Sequence, residues 1–313
     1  MCIEAVERAA GKTKYILRFI ILLQFVVCVS RAVEQSGEVQ TLELQAGELK
    51  VIVGNEADHG SKRTGYIGIW SLTSLHEPTN VFVPQCAGCI YLRERATVTR
   101  LGDGEAFIQH LDESRNVIAE QVVRVISPYY FDCEFRQKLA SDSVDFLAAS
   151  YINGPQDPGI YFLDAQMRWQ RHYSPRHGEA ASILPEGMAV PVVEKTPNSP
   201  YPQGIAHFWD SFSTSRYHPD YALFYGRFKK MVLVFMFRPR SNVIFFMSPS
   251  GGGMQPDART ANPAWDWRIH LSGLKPNASA SISVRGVYKQ YKSDADILDE
   301  YRRWVSTCGT RLH

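Results

Sequence analysis

The chain has 313 residues, 45% of them hydrophobic and 21% charged, with a formal charge of +2 and a sequence pI near 8.2. This is globular composition, and it excludes a disordered, collagenous or coiled-coil chain. Residues 1–32 carry Arg8, Lys12, Lys14, Arg18 and Arg31 against Glu4 and Glu7, which leaves −1 for the remainder. That is too near neutrality for the electrostatic footprint of a nucleic-acid or anionic-membrane binder.

Residues 1–32 read as a secretory signal peptide. Lys12, Lys14 and Arg18 precede an apolar run over 19–29, and Ser30-Arg31-Ala32 sets small residues at the −3 and −1 positions of a cleavage site. The run is 11 residues, short of the roughly 20 that cross a bilayer. The expected product, 33–313, is a single secreted or periplasmic β-sandwich domain with no stable membrane span. Signal removal takes Cys2 and Cys28, leaving Cys86, Cys89, Cys133 and Cys308. An even number in an exported chain suggests disulfides, with three pairings open. Cys86-Ala-Gly-Cys89 lacks the second C-x-x-C of a zinc site and the βαβ context of a thioredoxin.

Strand-length stretches then follow at 39–45, 49–53, 66–72, 81–84, 96–101, 117–126, 130–139, 146–152 and 160–163. They resume at 223–228, 231–238, 243–248, 265–271 and 281–288, each bounded by turn residues. Between the two groups, about 164–221 has few regular patterns and many prolines, yet is rich in Trp, Tyr and His. That composition predicts ordered loops over a sheet face, not a flexible tether. One helix is expected near the C-terminus. Ser293-Asp294-Ala295-Asp296 resembles a capping box, and Ile297, Leu298, Tyr301, Trp304 and Val305 follow at helical spacing. Many strands and one helix predict an all-β fold, a large two-sheet antiparallel β-sandwich (supersandwich) with one C-terminal α-helix.

The densest chemistry lies in AHFWDSFSTSRYHPDYALFYGR, residues 206–227. Rings can stack on the apolar faces of sugars while charged groups take their hydroxyls. Trp209, Asp210, Tyr217, His218 and Tyr221, with His172 and His177 from HYSPRHGE, are the candidate substrate-binding residues. The competing reading is that these rings are core. The period-2 rule puts Phe224 and Phe228 on one face of a strand and Tyr225 and Arg227 on the other. It likewise puts Trp265 and Trp267 opposite Asp266. The candidate catalytic residues are His207, Tyr225, Arg227 and Asp266. In a lyase, Tyr225 or His207 would abstract the proton α to a uronate carboxylate and Arg227 would neutralise the enolate. A hydrolase would draw two facing carboxylates from Asp210, Asp220 and Asp266. His-x₄-His is not a standard metal spacing, and the glycines of 251–253 lack the Lys of a phosphate loop, so no metal or cofactor is expected.

The order ASYING-QDPGIYFL, RYHPDYALFYGR, SPSGGG, NPAWDW, YKSDADILDEYRRW resembles a group of exported bacterial β-sandwich proteins. More loosely, 33–313 resembles the galactose-mutarotase-like supersandwich group, which includes epimerases and the sandwich parts of polysaccharide lyases and glycosidases. That resemblance implies a His acid and a late Glu base. Here no Glu occurs between Glu194 and Glu300, and Glu300 falls on the predicted helix, so Asp266 would have to substitute. The expected function is that of a secreted carbohydrate-active protein. It would be a glycan-processing enzyme of lyase or hydrolase type, working on oligo- or polysaccharide in an aromatic-rich cleft. The alternative is a noncatalytic glycan-binding or envelope structural protein.

Overall fold

A computed structural model describes residues 40–55, 67–83, 96–112, 117–138, 143–174, 181–190, 212–238, 242–248, 262–275 and 277–307. The first strands are β1 (Thr41–Ala46), β2 (Leu49–Gly54), β3 (Gly68–Ser74), β4 (Ala96–Gly102), β5 (Glu105–Asp112) and β6 (Val117–Ile126). Next come β7 (Tyr130–Lys138), β8 (Val144–Ala148), β9 (Asp157–Leu163), β10 (Trp169–His172), β11 (Ala181–Pro185) and β12 (Phe212–Tyr217). The last are β13 (Leu223–Arg227), β14 (Met231–Arg238), β15 (Val243–Ser248), β16 (Ala264–Leu271) and β17 (Ser279–Gln290), followed by helix α1 (Asp294–Ser306).

The strands form a nine-stranded sheet, β10-β9-β13-β14-β17-β7-β6-β5-β4, a five-stranded sheet, β12-β11-β15-β16-β8, and a three-stranded sheet, β1-β2-β3. Pairing is antiparallel except between β11 and β12. The all-β sandwich with a C-terminal helix is therefore observed, with a third small sheet added. The interval 164–221 holds more order than its sequence suggests. It supplies β10, β11 and β12, which sit at or next to sheet edges. Short strands with one neighbour need little alternation of their own, which hides them in the sequence.

The main core lies between the sheets. From the nine-stranded sheet come Phe131, Phe135, Phe224, Leu233, Phe235, Phe237, Ile282 and Val284; Phe245, Met247, Trp265, Trp267 and Ile269 face them from the five-stranded sheet. A second cluster covers the outer face of the nine-stranded sheet: Leu223, Tyr225, Val232, Val234, Met236 and Val287 against Ile297, Tyr301 and Trp304 of α1. This double cover explains why β14 reads as an unbroken apolar run: its odd residues enter one cluster and its even residues the other. The helix starts as predicted, with the Ser293 Oγ accepting the Asp296 N–H at 3.1 Å.

Candidate functional site

Strand β13 alternates as the sequence predicts. Phe224 and Phe228 pack on the inner core, and Tyr225 joins the outer cluster. Gly226 lies between Tyr225 and Arg227 because Trp265 of the other sheet fills the inner side. A Cβ there would come within 2.0 Å of the indole Cη2. Register then builds a ring wall on the outer face. Tyr161 of β9 pairs with Tyr225 and stacks on it, with centroids 4.9 Å apart and planes 9° off parallel. Trp169 of β10 meets Tyr225 edge-on at 5.2 Å. Tyr291, just before α1, completes the wall at 6.5 Å. Tyr225 is buried, while Tyr161, Trp169 and Tyr291 are half-buried.

Two carboxylates order these rings. The Tyr225 and Tyr291 hydroxyls both donate to the Asp294 Oδ1, at 2.6 Å and 2.9 Å. Asp157 accepts from the Tyr161 hydroxyl, from the Arg171 Nε at 2.7 Å and from the Gly159 N–H at 2.9 Å. Burial pushes the Asp157 carboxyl up, but Arg171, Tyr161 and Gly159 outweigh it and hold it at about 2. Burial first, and Asp294 second, push the Tyr225 phenol far above its ordinary range. Arg227 shares this face. Its Cζ lies 3.9 Å from the Tyr291 ring centroid, and its Nε is buried and donates to no acceptor among the described residues.

The candidates from the sequence divide sharply. Tyr225 and Arg227 come together as expected, but Tyr225 holds its proton for Asp294, which corrects its role as a base. Asp266 does not join them. Trp265, Trp267 and Ile269 fill the inner core, so Asp266 faces the far side of the five-stranded sheet, with two sheets between it and Arg227. Tyr217 is core: fully buried, stacked on Phe245 at 4.2 Å, with its hydroxyl donating to the Val243 carbonyl. His172 pairs with Ile160, an inner-core residue, so it faces away from the ring wall. His218 holds its own turn, its Nδ1 accepting the Asp220 N–H at 3.2 Å, and meets Tyr221 edge-on. Tyr221 packs on the outer cluster near Tyr301, at 5.8 Å. His177, His207, Trp209 and Asp210 lie outside the described residues, as do Cys86, Cys89 and Cys308; Cys133 is buried.

Tyr161, Trp169, Arg171, Asp157, Tyr291 and Asp294 are the members missing from the sequence-based set. Period 2 puts Asp157 with Tyr161, and Trp169 with Arg171, on shared faces. Nothing local says that those faces adjoin Tyr225.

No protein-family model matches the chain, and no curated protein sequence does. Among solved structures, an aldose 1-epimerase candidate from Escherichia coli K12 aligns over 81% of this chain and 100% of its own, at 8% identity and a TM-score of 0.49. A GalM/aldose epimerase homologue from C. elegans aligns over 82% and 100%, at 7% identity and a TM-score of 0.48. A heparan sulfate lyase from Pedobacter heparinus aligns over 82% of this chain and 36% of its own, at 7% identity and a TM-score of 0.43. None reaches a TM-score of 0.5, so they do not bear on the chemistry of the site.

Two buried groups outside the ring wall set a pH response. Burial pushes the Asp266 carboxyl up to about 8, partly offset by the Ser150 N–H donating to it at 2.7 Å. Burial pushes the His110 imidazole down to about 4. His110 therefore stabilises the fold fully above about pH 6.5 and less as pH falls toward 4. Asp266 stabilises it fully below about pH 3.8 and less as pH rises toward 8. Each slope approaches about 1.4 kcal/mol per pH unit, so the two cancel between about pH 4 and 6.5. From pH 6.5 to 8 Asp266 acts alone, and stability is expected to fall by about 2 kcal/mol. Urea midpoints across this range measure the decline, and Asp266→Asn is expected to flatten it. A flat wild-type profile there refutes the assignment.

Proposed function

We propose that the protein is a secreted or periplasmic carbohydrate-active protein that holds a glycan against the outer face of the nine-stranded sheet. The observation that carries this reading is the ring wall: Tyr161 stacked on Tyr225, Trp169 edge-on, Tyr291 alongside, with the three tyrosine hydroxyls pinned by Asp157 and Asp294. The half-buried rings of Tyr161 and Trp169 offer apolar surface for the C–H-rich faces of sugars, and the carboxylates fix the orientation of the tyrosines in advance.

The groups in this wall supply recognition more readily than proton transfer. Tyr225 is protonated and Asp157 is held ionised by Arg171. A lyase or hydrolase step would need an acid or base beyond them, and His207 remains the candidate. The test is affinity electrophoresis of the mature protein against neutral and acidic polysaccharides, with unsaturated-product absorbance and reducing ends followed in parallel. Trp169→Ala is expected to weaken retardation about tenfold, the worth of one good aromatic contact. Retention by no polymer overturns the glycan reading. Retention without product removes the catalytic part alone.

A further inference from the structure

The outer face of the nine-stranded sheet is rich in arginine, and most of it is answered. Asp157 pairs with Arg171, Asp132 with Arg285, and Glu105 and Glu134 with Arg124. Arg227 is different. Among the described residues no carboxylate pairs with it, although Asp157 is its register partner across the β13–β9 ladder. Asp157 is occupied by Arg171, Tyr161 and Gly159. Asp294 is occupied by Tyr225 and Tyr291. The half-buried guanidinium lies over the Tyr291 ring, with a desolvated Nε that has no acceptor among the described residues. A buried charged donor left without an acceptor lowers stability, so it marks a position kept for something other than the fold. Contact with the Tyr291 ring holds the group, and the terminal Nη pair, unlike the enclosed Nε, is left to meet an oxyanion.

We propose that Arg227 receives the anionic group of an acidic sugar, a uronate carboxylate or a sulfate ester, whose ring lies on the aromatic wall. This rests on the glycan reading above and adds the class of sugar. The planar fork accepts a two-oxygen anion through two parallel hydrogen bonds, which an ammonium cannot reproduce. The occupied state of Asp157 also matters. Asp157 is ion-paired with Arg171, so it repels an anion at Arg227 less than a bare carboxylate would.

The experiment is affinity electrophoresis of the mature chain in gels holding one of three polymers. The first is polygalacturonate. The second is the same polymer with its carboxylates reduced to alcohols. The third is a sulfated neutral glucan. Wild-type protein is expected to be retarded at least tenfold more strongly by polygalacturonate or by the sulfated glucan than by the reduced polymer. Which of the two acts identifies the anion. Arg227→Gln is expected to erase that contrast, and Arg227→Lys to restore only part of it. Equal retardation by charged and reduced polymers overturns the acidic-sugar inference while leaving glycan binding intact. Absence of retardation by all three and by every neutral polymer tested overturns both. The wild-type contrast needs no variant, so a loss of folding in Arg227→Gln does not decide the outcome.

Discussion

Glu300→Ala is expected to destabilise the protein by up to about 3–5 kcal/mol, the cost of breaking a buried ion pair, eased by the Asp296 that Lys289 keeps. The Glu300 side chain is 1% exposed and Lys289 is 4% exposed, and the two form an ion pair between α1 and β17. Glu300 also accepts the Tyr129 hydroxyl at 2.9 Å and the Tyr130 hydroxyl at 2.8 Å, and pairs with Arg303 at 2.9 Å. Burial pushes its carboxyl up, but Lys289 and Tyr130 outweigh burial and bring it below its ordinary value. Its stabilising contribution is therefore present above the unfolded carboxylate range and lost as pH falls through the lower folded value. Truncation leaves Lys289 with Asp296 alone, at 2.8 Å, and strands two phenols beneath the helix. The consequence reaches the ring wall, because α1 carries Asp294. Chemical denaturation is the measurement, with a lower midpoint and an unchanged slope expected. A loss under about 1 kcal/mol would show that the pair is solvated and does not anchor the helix.

Gly226→Ala is the second large effect, and it joins stability to binding. The new Cβ would sit 2.0 Å from the Trp265 Cη2 and 2.2 Å from its Cζ3. The indole has little room to yield. It is fully buried, meets Phe228 edge-on at 5.9 Å, and donates its Nε1–H to the Pro158 carbonyl at 2.8 Å. Overpacking of this kind costs roughly 1–3 kcal/mol, and contact with an immobile ring favours the upper end. Either Trp265 leaves its slot or β13 shifts outward, and a shift moves Tyr225 and Arg227 together. Lower stability, altered tryptophan fluorescence and weaker glycan retention are all expected. Gly226→Ala combined with Trp265→Phe should recover part of the lost stability by vacating the slot. A double variant no better than the sum of its single changes sinks the steric account.

Much of this architecture can be read from local pattern. Ser293 caps α1, and the apolar spacing of Ile297, Tyr301 and Trp304 marks the face it buries. The same helical reading passes over Glu300, because a buried carboxylate is expected only where a partner waits, and Lys289 and the two tyrosines arrive from elsewhere in the chain. Strand β5 is another case. Ala106, Ile108 and His110 point inward, but a histidine in the apolar series disguises the alternation.

Alternation also decides, residue by residue, which side of its own strand a side chain takes. That much follows from backbone geometry, and it holds for Tyr225 with Arg227 and for Asp266 against Trp265 and Trp267. Whether two such faces meet is settled by sheet assignment and register, which are long-range. Strands β13 and β16 belong to opposing sheets that touch through Gly226 and Trp265, so their polar faces point apart. Strands β9 and β10 pair beside β13, so Tyr161 and Trp169 come to Tyr225 and the acids near Arg227 find other partners. Residue order alone specified a β-sandwich pattern and the ring-and-arginine chemistry of β13. The packing of one sheet on another selected which rings surround that arginine and kept Asp266 from reaching it.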